Sequence, residues 1–192
     1  MRVFVVTPPE PVVSLADAKR HLRVDGNDED ALIEAMIAAA TGHIDGPDGW
    51  LGRALGVQIL EARTDFSCGS SIRLPFRPVV ELVSVSWFDR GNVEQMVDLE
   101  DLELLGSDLI AAGTAWPWSG GSTRREAIRI RYRAGYPHDG NVSTLPAPIR
   151  AAILLMVGDL YRNRDTTAVG TINKIDMSTT VENLLAPFRV FG

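Results

Sequence analysis

A chain of 192 residues can bury a sizeable core, and both one domain with an insertion and two small domains fit that length. Its 45% hydrophobic and 23% charged content is ordinary for a globular protein, and no apolar run approaches the roughly 18 residues of a membrane span, so a soluble protein is expected. With 19 Lys and Arg against 25 Asp and Glu, the formal charge of −6 has the wrong sign for gripping phosphate backbones, and a single cysteine, Cys68, excludes an internal disulfide or a cysteine-cluster zinc site.

In chain order, Met1 to Thr7 has too short an apolar core for a signal peptide and runs into Pro8-Pro9, so a cytoplasmic chain is expected. Thr7 to Val13 is extended and proline-punctuated. Ser14 followed by Asp17 resembles a capping box with Asp in place of Glu, and starts a short helix over residues 15–23. Val24-Asp25-Gly26-Asn27 breaks it. Asp28, Glu29 and Asp30 then place negative charge on the first turn of a second helix, 28–45, whose apolar stripe is Leu32, Ile33, Met36, Ile37, Ala40 and Ile44. The acidic run 25–30 superficially suggests a calcium loop, but glycine is second rather than sixth and Met36 stands where a bidentate Glu is needed. It reads as a solvated helix start.

From Val57 the pattern changes to short β-branched runs punctuated by Gly and Pro. Candidate strands are 57–66, 71–74, 80–89, 96–99, 104–105, 109–112 and 127–132. Val83, Val85 and Trp87 alternate with Ser84, Ser86 and Phe88, and Ile128 and Ile130 alternate with Arg129 and Arg131, which predicts an antiparallel sheet with one wet face. The loop 115–122 carries Trp116 and Trp118, which either lie on the sheet or form a partner surface.

The spacing of Ile149, Ala152, Ile153, Met156, Val157, Leu160 and Tyr161 predicts a core helix over 148–164, with Pro148 in its first turn and Arg162 and Arg164 at its end. Ile153 and Met156 are expected to be buried against Ile33, Met36, Ile37 and Ala40. Gly158 marks either a close approach or a tolerated glycine. Residues 165–180 form an unusually long polar connection, a length at which loops tend to carry function. A short helix, 181–186, precedes an extended tail, 187–192.

Chemistry-bearing patterns are lacking. His21, His43 and His138 sit in separate segments without metal-ligand spacing, and no GxGxxG, GxxxxGK[ST], HExxH or GxSxG is present. Asp98, Glu100 and Asp101 read as a solvated turn rather than a carboxylate pair. No catalytic, cofactor-binding or metal residue is assigned, and no cofactor is expected.

Several short signatures, in order and spanning the chain, resemble the head-tail connector (adaptor) family of tailed bacteriophages, prophages and gene transfer agents. They are Ser14 to Asp25 followed by Asp28 to Ile33, Gly52-Arg53-Ala54-Leu55, Leu74-Pro75-Phe76-Arg77-Pro78-Val79, Tyr132-Arg133-Ala134-Gly135-Tyr136, Pro146 to Ile153, and Tyr161-Arg162-Asn163-Arg164. Gly42-His43-Ile44-Asp45 departs from the pattern, since related chains often carry an aromatic and an acidic residue there. The resemblance implies a structural subunit in a homo-oligomeric ring, commonly of twelve copies, beneath the portal protein of the filled capsid. A stopper or tail component binds the other side, DNA passes through without sequence-specific binding, and neither catalysis nor a membrane is involved. The place implied is the head-tail junction of a virion or gene transfer agent particle, assembled in the bacterial cytoplasm.

The expected fold class is α+β, a helical bundle core with an antiparallel β-rich insertion between the second and third main helices. The parts are residues 1–56 (helical), 57–133 (β-rich) and 134–192 (helical, with a partner-binding tail). Phe188, Arg189, Val190 and Phe191 alternate as an extended peptide would and are the expected portal-docking residues, the alternative being that Phe188 and Phe191 fold back on the chain's own helices. Trp116, Trp118, Ile172, Ile175 and Met177 are the expected contacts with neighbouring subunits or tail parts. The acidic balance suits a lumen that must not hold DNA, and equally suits ordinary solubility. Rival readings are a small-molecule enzyme with a pocket between sheet and helices, and a monomeric binding module of a bacterial protein.

Overall fold

The computed structural model describes residues 1–66, 69–113, 115–118, 124–139, 142–163 and 177–191. The chain divides into two units, Met1–Glu10 with Arg53–Pro137, and Pro11–Gly52 with His138–Gly192. No described helix is long and apolar enough to cross a membrane.

The second unit is helical. It contains α1 (Leu15–Leu22), α2 (Asp30–Ile44), α3 (Ala147–Arg162) and α4 (Thr179–Leu185), with α1, α2 and α3 in mutual contact and α4 against α3. Ser14 caps α1 as expected, but the box closes differently. The Asp17 N–H donates to Ser14 Oγ (3.1 Å) and the Ser14 hydroxyl donates back to the Asp17 carboxylate (2.7 Å), so the hydroxyl takes the place of the usual backbone N–H. Helix α2 begins at Asp30, not Asp28, because Glu29 occupies the cap position without a side-chain cap bond. Its buried face is Ile33, Met36, Ile37, Ala40 and Ile44, and Leu32, expected in that stripe, lies on the outside.

Ile149, Ala152, Ile153, Val157 and Gly158 form the buried face of α3. Met156 corrects the expectation made for it: it is half-buried, because its side of α3 lines an open cleft that it shares with Ala39, Ala40 and His43 of α2. At Gly158 the nearest neighbour to an added Cβ is His21 of α1, at 3.5 Å, so the helices do come close here, yet a methyl group would make only ordinary contact. A two-residue pairing of β9 (His138–Asp139) with β10 (Val142–Ser143) completes this unit.

The first unit is the β-rich one. A five-stranded sheet runs in the order β1 (Arg2–Thr7), β2 (Gln58–Thr64), β8 (Ile128–Ala134), β4 (Val79–Phe88), β5 (Glu94–Val97), every neighbouring pair antiparallel. A second sheet has the order β3 (Ser71–Arg73), β7 (Asp108–Ala111), β6 (Leu102–Leu105). Both contribute to one core, in which Leu60, Ala62, Val85, Ile128, Ile130 and Tyr132 meet Ile72, Leu74, Leu102 and Leu109. In β8 the alternation is as read, with Ile128, Ile130, Tyr132 and Ala134 buried and the intervening arginines on the other face.

Two departures have local causes. Residues 1–10, grouped with the helices on sequence grounds, supply the edge strand β1, which is exposed along nearly its whole length and so carries no inward-outward alternation to be read. In β4 the register against β8 slips between Val79 and Glu81 and again between Leu82 and Ser84, so Val80 and Val83 are bulged residues. The second bulge turns Val83 outward, 41% exposed, and breaks the expected run of Val83 with Val85. Val85 and Trp87 still face the core, whereas Ser86 and Phe88, on the opposite face, are buried under Glu94 and under the Arg124 and Arg129 guanidinium groups. A third slip, at Val6, interrupts the pairing of β1 with β2.

Glycine is required where β8 ends. Gly135 has φ +117°, and a Cβ there would lie 2.3 Å from the Gly56 carbonyl oxygen.

Candidate functional site

Among the described residues no group of three or more His, Cys, Asp or Glu could hold a metal ion. The functional surfaces to consider are the ones proposed for contact, and the structure treats them differently.

The tail is anchored at its base. The α-helix α4 ends at Leu185, with Ala186 as its cap directly ahead of Pro187. Pro187 sits in a single 3-10 turn, Ala186–Phe188, which follows α4, and the first turn of such a helix tolerates its missing N–H. Arg189 is the first extended residue, with φ −66° and ψ 133°. The Val190 N–H donates to the Leu51 carbonyl (2.9 Å), tying the tail to the corner that follows α2. Gly52, in the same corner, has φ +62°, and a Cβ on it would meet the Val190 carbonyl oxygen at 2.7 Å. The Arg189 guanidinium lies over the Trp50 ring (4.1 Å to the centroid) and near the Phe191 ring (4.8 Å). Phe188 is half-buried, whereas Phe191 is 78% exposed. The tail is therefore neither a free peptide nor folded fully onto the helices: its base is fixed and its last ring projects.

Trp50 was not singled out on sequence grounds. The signal available was a tryptophan between glycines, Gly49-Trp50-Leu51-Gly52, directly after a helix. Gly49 is also sterically required, since its Cβ would lie 2.3 Å from the Asp45 carbonyl oxygen.

Trp116 and Trp118 stack at 4.6 Å between centroids with planes 13° apart. Trp118 is 6% exposed and belongs to the core of the β-rich unit, so it is not the exposed ring that the contact expectation supposed. Trp116 is half-buried against the same core and donates its indole N–H to the Gly69 carbonyl (2.8 Å). The lying-on-the-sheet alternative describes this pair, for the physical reason that two large rings gain more from burial than the loop gains from presenting them.

Met177 precedes α4 and lines a cleft of about 310 Å³ with Ala39, Ala40 and His43 of α2 and Met156 and Leu160 of α3. Ile172 and Ile175 lie outside the described residues.

The wet face of the five-stranded sheet is cross-linked by charge. Glu61, 3% exposed, accepts from Arg63 (2.6 Å) and Arg131 (2.7 Å), and Arg133 pairs with Glu81 (2.9 Å). Burial alone would raise the Glu61 carboxyl, but the hydrogen bonds from Arg131 and Arg63 outweigh it and hold the group below its ordinary value. Burial pushes the Tyr132 phenol up, and its hydroxyl donates to the Pro75 carbonyl (2.9 Å). These are structural ties within the β-rich unit.

Comparison with known proteins adds what geometry cannot. Residues 12–106 match the model of the phage gp6-like head-tail connector protein family. The fold corresponds over 100% of this chain and 97% of the other to a chain in the neck of an empty gene transfer agent particle computed with C6 symmetry, at TM-score 0.76 and 22% identity. A chain in the virion of a native gene transfer agent particle gives TM-score 0.75 and 23% identity, and one in the neck of a native particle computed with C12 symmetry gives 0.70 and 20%, with the same coverage. No curated protein matches the sequence.

Proposed function

We propose that this chain, which resembles the head-tail connector family over residues 12–106 and shares its fold from end to end with subunits of gene transfer agent necks, is a structural head-tail adaptor. Copies form a ring at the head-tail junction that joins the portal to the stopper or tail and lines the passage for DNA. The observation that carries this reading is the pairing of the family match with a fold correspondence in which neither chain has an unmatched domain. Six- and twelve-fold symmetry in the neck structures favours a ring of twelve copies. The local chemistry agrees, since Arg63, Arg131 and Arg133 of the sheet are paired with Glu61 and Glu81 and the chain's net charge is −6.

The tail, Phe188 to Phe191, is the segment that meets the portal. Trp116 and Met177 are the described residues left to contribute contacts with neighbouring subunits or tail parts.

The test is solution mass, alone and with portal-bearing heads. A discrete ring, or a monomer that co-sediments with tailless DNA-filled heads, is the expected result. A monomer that ignores heads and turns over a small molecule would replace the adaptor with an enzyme.

A further inference from the structure

The β-rich unit carries its surface charge in two separate places. Its two sheets share one core, so side chains that point away from that core leave the five-stranded and the three-stranded sheet on opposite sides. Resting on the adaptor reading, we propose that neighbouring copies of this chain meet head to tail through these two places. The arginine-bearing wet face of the five-stranded sheet in one copy receives the acidic segment 98–105 of the next.

Cross-strand register puts Arg63 of β2, Arg129, Arg131 and Arg133 of β8 and Met96 of β5 on the wet face. Glu61, Glu81 and Glu94 face these arginines, which leaves four guanidinium groups to three carboxylates. Arg131 and Arg133 keep 49% and 43% of their side chains in solvent, and Arg131 gives Glu61 only its Nε–H. Arg63 lies over the Phe4 ring (4.4 Å to the centroid) and Arg129 over Phe88 (4.7 Å), contacts that orient a guanidinium without consuming an N–H. The face can therefore accept further carboxylates.

The complementary surface is the 3-10 turn Leu99–Asp101 together with β6. Asp98, Glu100, Asp101 and Glu103 are exposed there, and none makes an ion pair with a described residue. Asp98 is used only within the turn, where it accepts the Glu100 N–H (3.1 Å). In β6, Leu102 and Leu104 take the core side, so Glu103 and Leu105 point away from it. Both surfaces also leave apolar side chains uncovered, Met96 at 68% on one and Leu105 at 54% on the other.

A second copy fits these facts better than any other occupant. Surplus guanidinium on one surface matches surplus carboxylate on the other, and like charge keeps either surface from pairing with itself. Contact between two different surfaces is heterologous, the kind that closes into a ring, whereas a self-matching surface stops at a dimer. The carboxylates set among the arginines disfavour a phosphate backbone in their place.

The experiment uses the full chain on tailless, DNA-filled heads that carry portal. Leu105→p-benzoylphenylalanine places a photoreactive ring beside the acids without removing one, and mass spectrometry then locates its attachment. The expected partners are Met96 and the β8 arginines of a second copy. Glu100→Arg with Glu103→Arg, both exposed positions, should melt like the wild type yet bind heads less cooperatively, with half-saturation raised about tenfold. Added salt should weaken the wild type and not the double variant. Attachment to the same segment of another copy, to a different surface or to DNA overturns the inference, as does a double variant that binds with wild-type cooperativity; in each case the adaptor reading stands. If the wild-type chain does not co-sediment with heads at all, the adaptor reading falls and takes this inference with it.

Discussion

The Arg150 guanidinium on α3 donates to the Asp17 carboxylate on α1, and the same carboxylate takes the Ser14 hydroxyl that caps α1. One side chain thus ends a helix and fastens it to its neighbour. Hydrogen bonds from the Ser14 hydroxyl and from Arg150 outweigh the opposing effect of burial and hold the Asp17 carboxyl below its ordinary value.

This relationship predicts a pH signature. A carboxyl whose folded-state pKa is depressed contributes stability that is present above the unfolded value, about 4, and is lost as pH falls through the folded value. Asp17→Asn should lower stability by about 1 kcal/mol at pH 7, a figure kept small because Arg150 is partly exposed. The difference between variant and wild-type melts should shrink toward pH 3; a gap that stays constant would mean the carboxylate charge does not matter.

The two positions expected to be equivalent on α3 should behave differently. Ile153, fully buried, should lose on the order of 2–5 kcal/mol on truncation to Ala. Met156 faces the α2–α3–α4 cleft and should lose about 1 kcal/mol, since much of its side chain is already in solvent. Equal shifts in melting temperature for the two variants would contradict the placement of Met156.

Glu61 is the nearly buried member of a charge-assisted triplet, so Glu61→Gln should cost about 1–3 kcal/mol by leaving two guanidinium groups with a weaker acceptor. Denaturant unfolding measures it. A neutral result would show that Arg63 and Arg131 are satisfied by water once the carboxylate is gone.

Gly52→Ala should be costly for two reasons, one of backbone conformation and one of space. A non-glycine residue in the left-handed region loses about 1–2 kcal/mol, and here the added methyl also meets the Val190 carbonyl. Thermal melts report the first effect, and faster exchange of the Val190 amide the second. Unchanged exchange would remove the steric part of the argument.

The helices were legible because their signals are local. The Ser14 cap, the i, i+3, i+4 stripes of α2 and α3, and Pro148 in the first turn of α3 each depend on residues within one or two turns of one another. The alternation of β8 was equally plain. What escaped were consequences of pairing. The bulges at Val80 and Val83 exist only against β8, and β1 is a strand only because β2 offers it an edge. The tail surface was half legible. Phe188 to Phe191 announced themselves by apolarity at a terminus, but Trp50 joins them through a contact spanning most of the sequence, which no spacing rule reveals. Trp118 misled for the opposite reason, since a polar, glycine-rich setting conceals that the ring is in the core.

The three slips at Val6, Val80 and Val83 bear on how the protein behaves when it is concentrated. Val6 interrupts β1, one border of the five-stranded sheet. Val80 and Val83 lie on the part of β4 that β5, pairing only from Val85 to Phe88, leaves uncovered on the other border among the described residues. A smooth border would invite strands from other copies to add on without limit, and a kinked one does not. A chain kept at high concentration gains from borders that resist zippering. Straightening one of them by deleting Val80 or Val83 should show first as fibrous or amorphous precipitation of the stored protein.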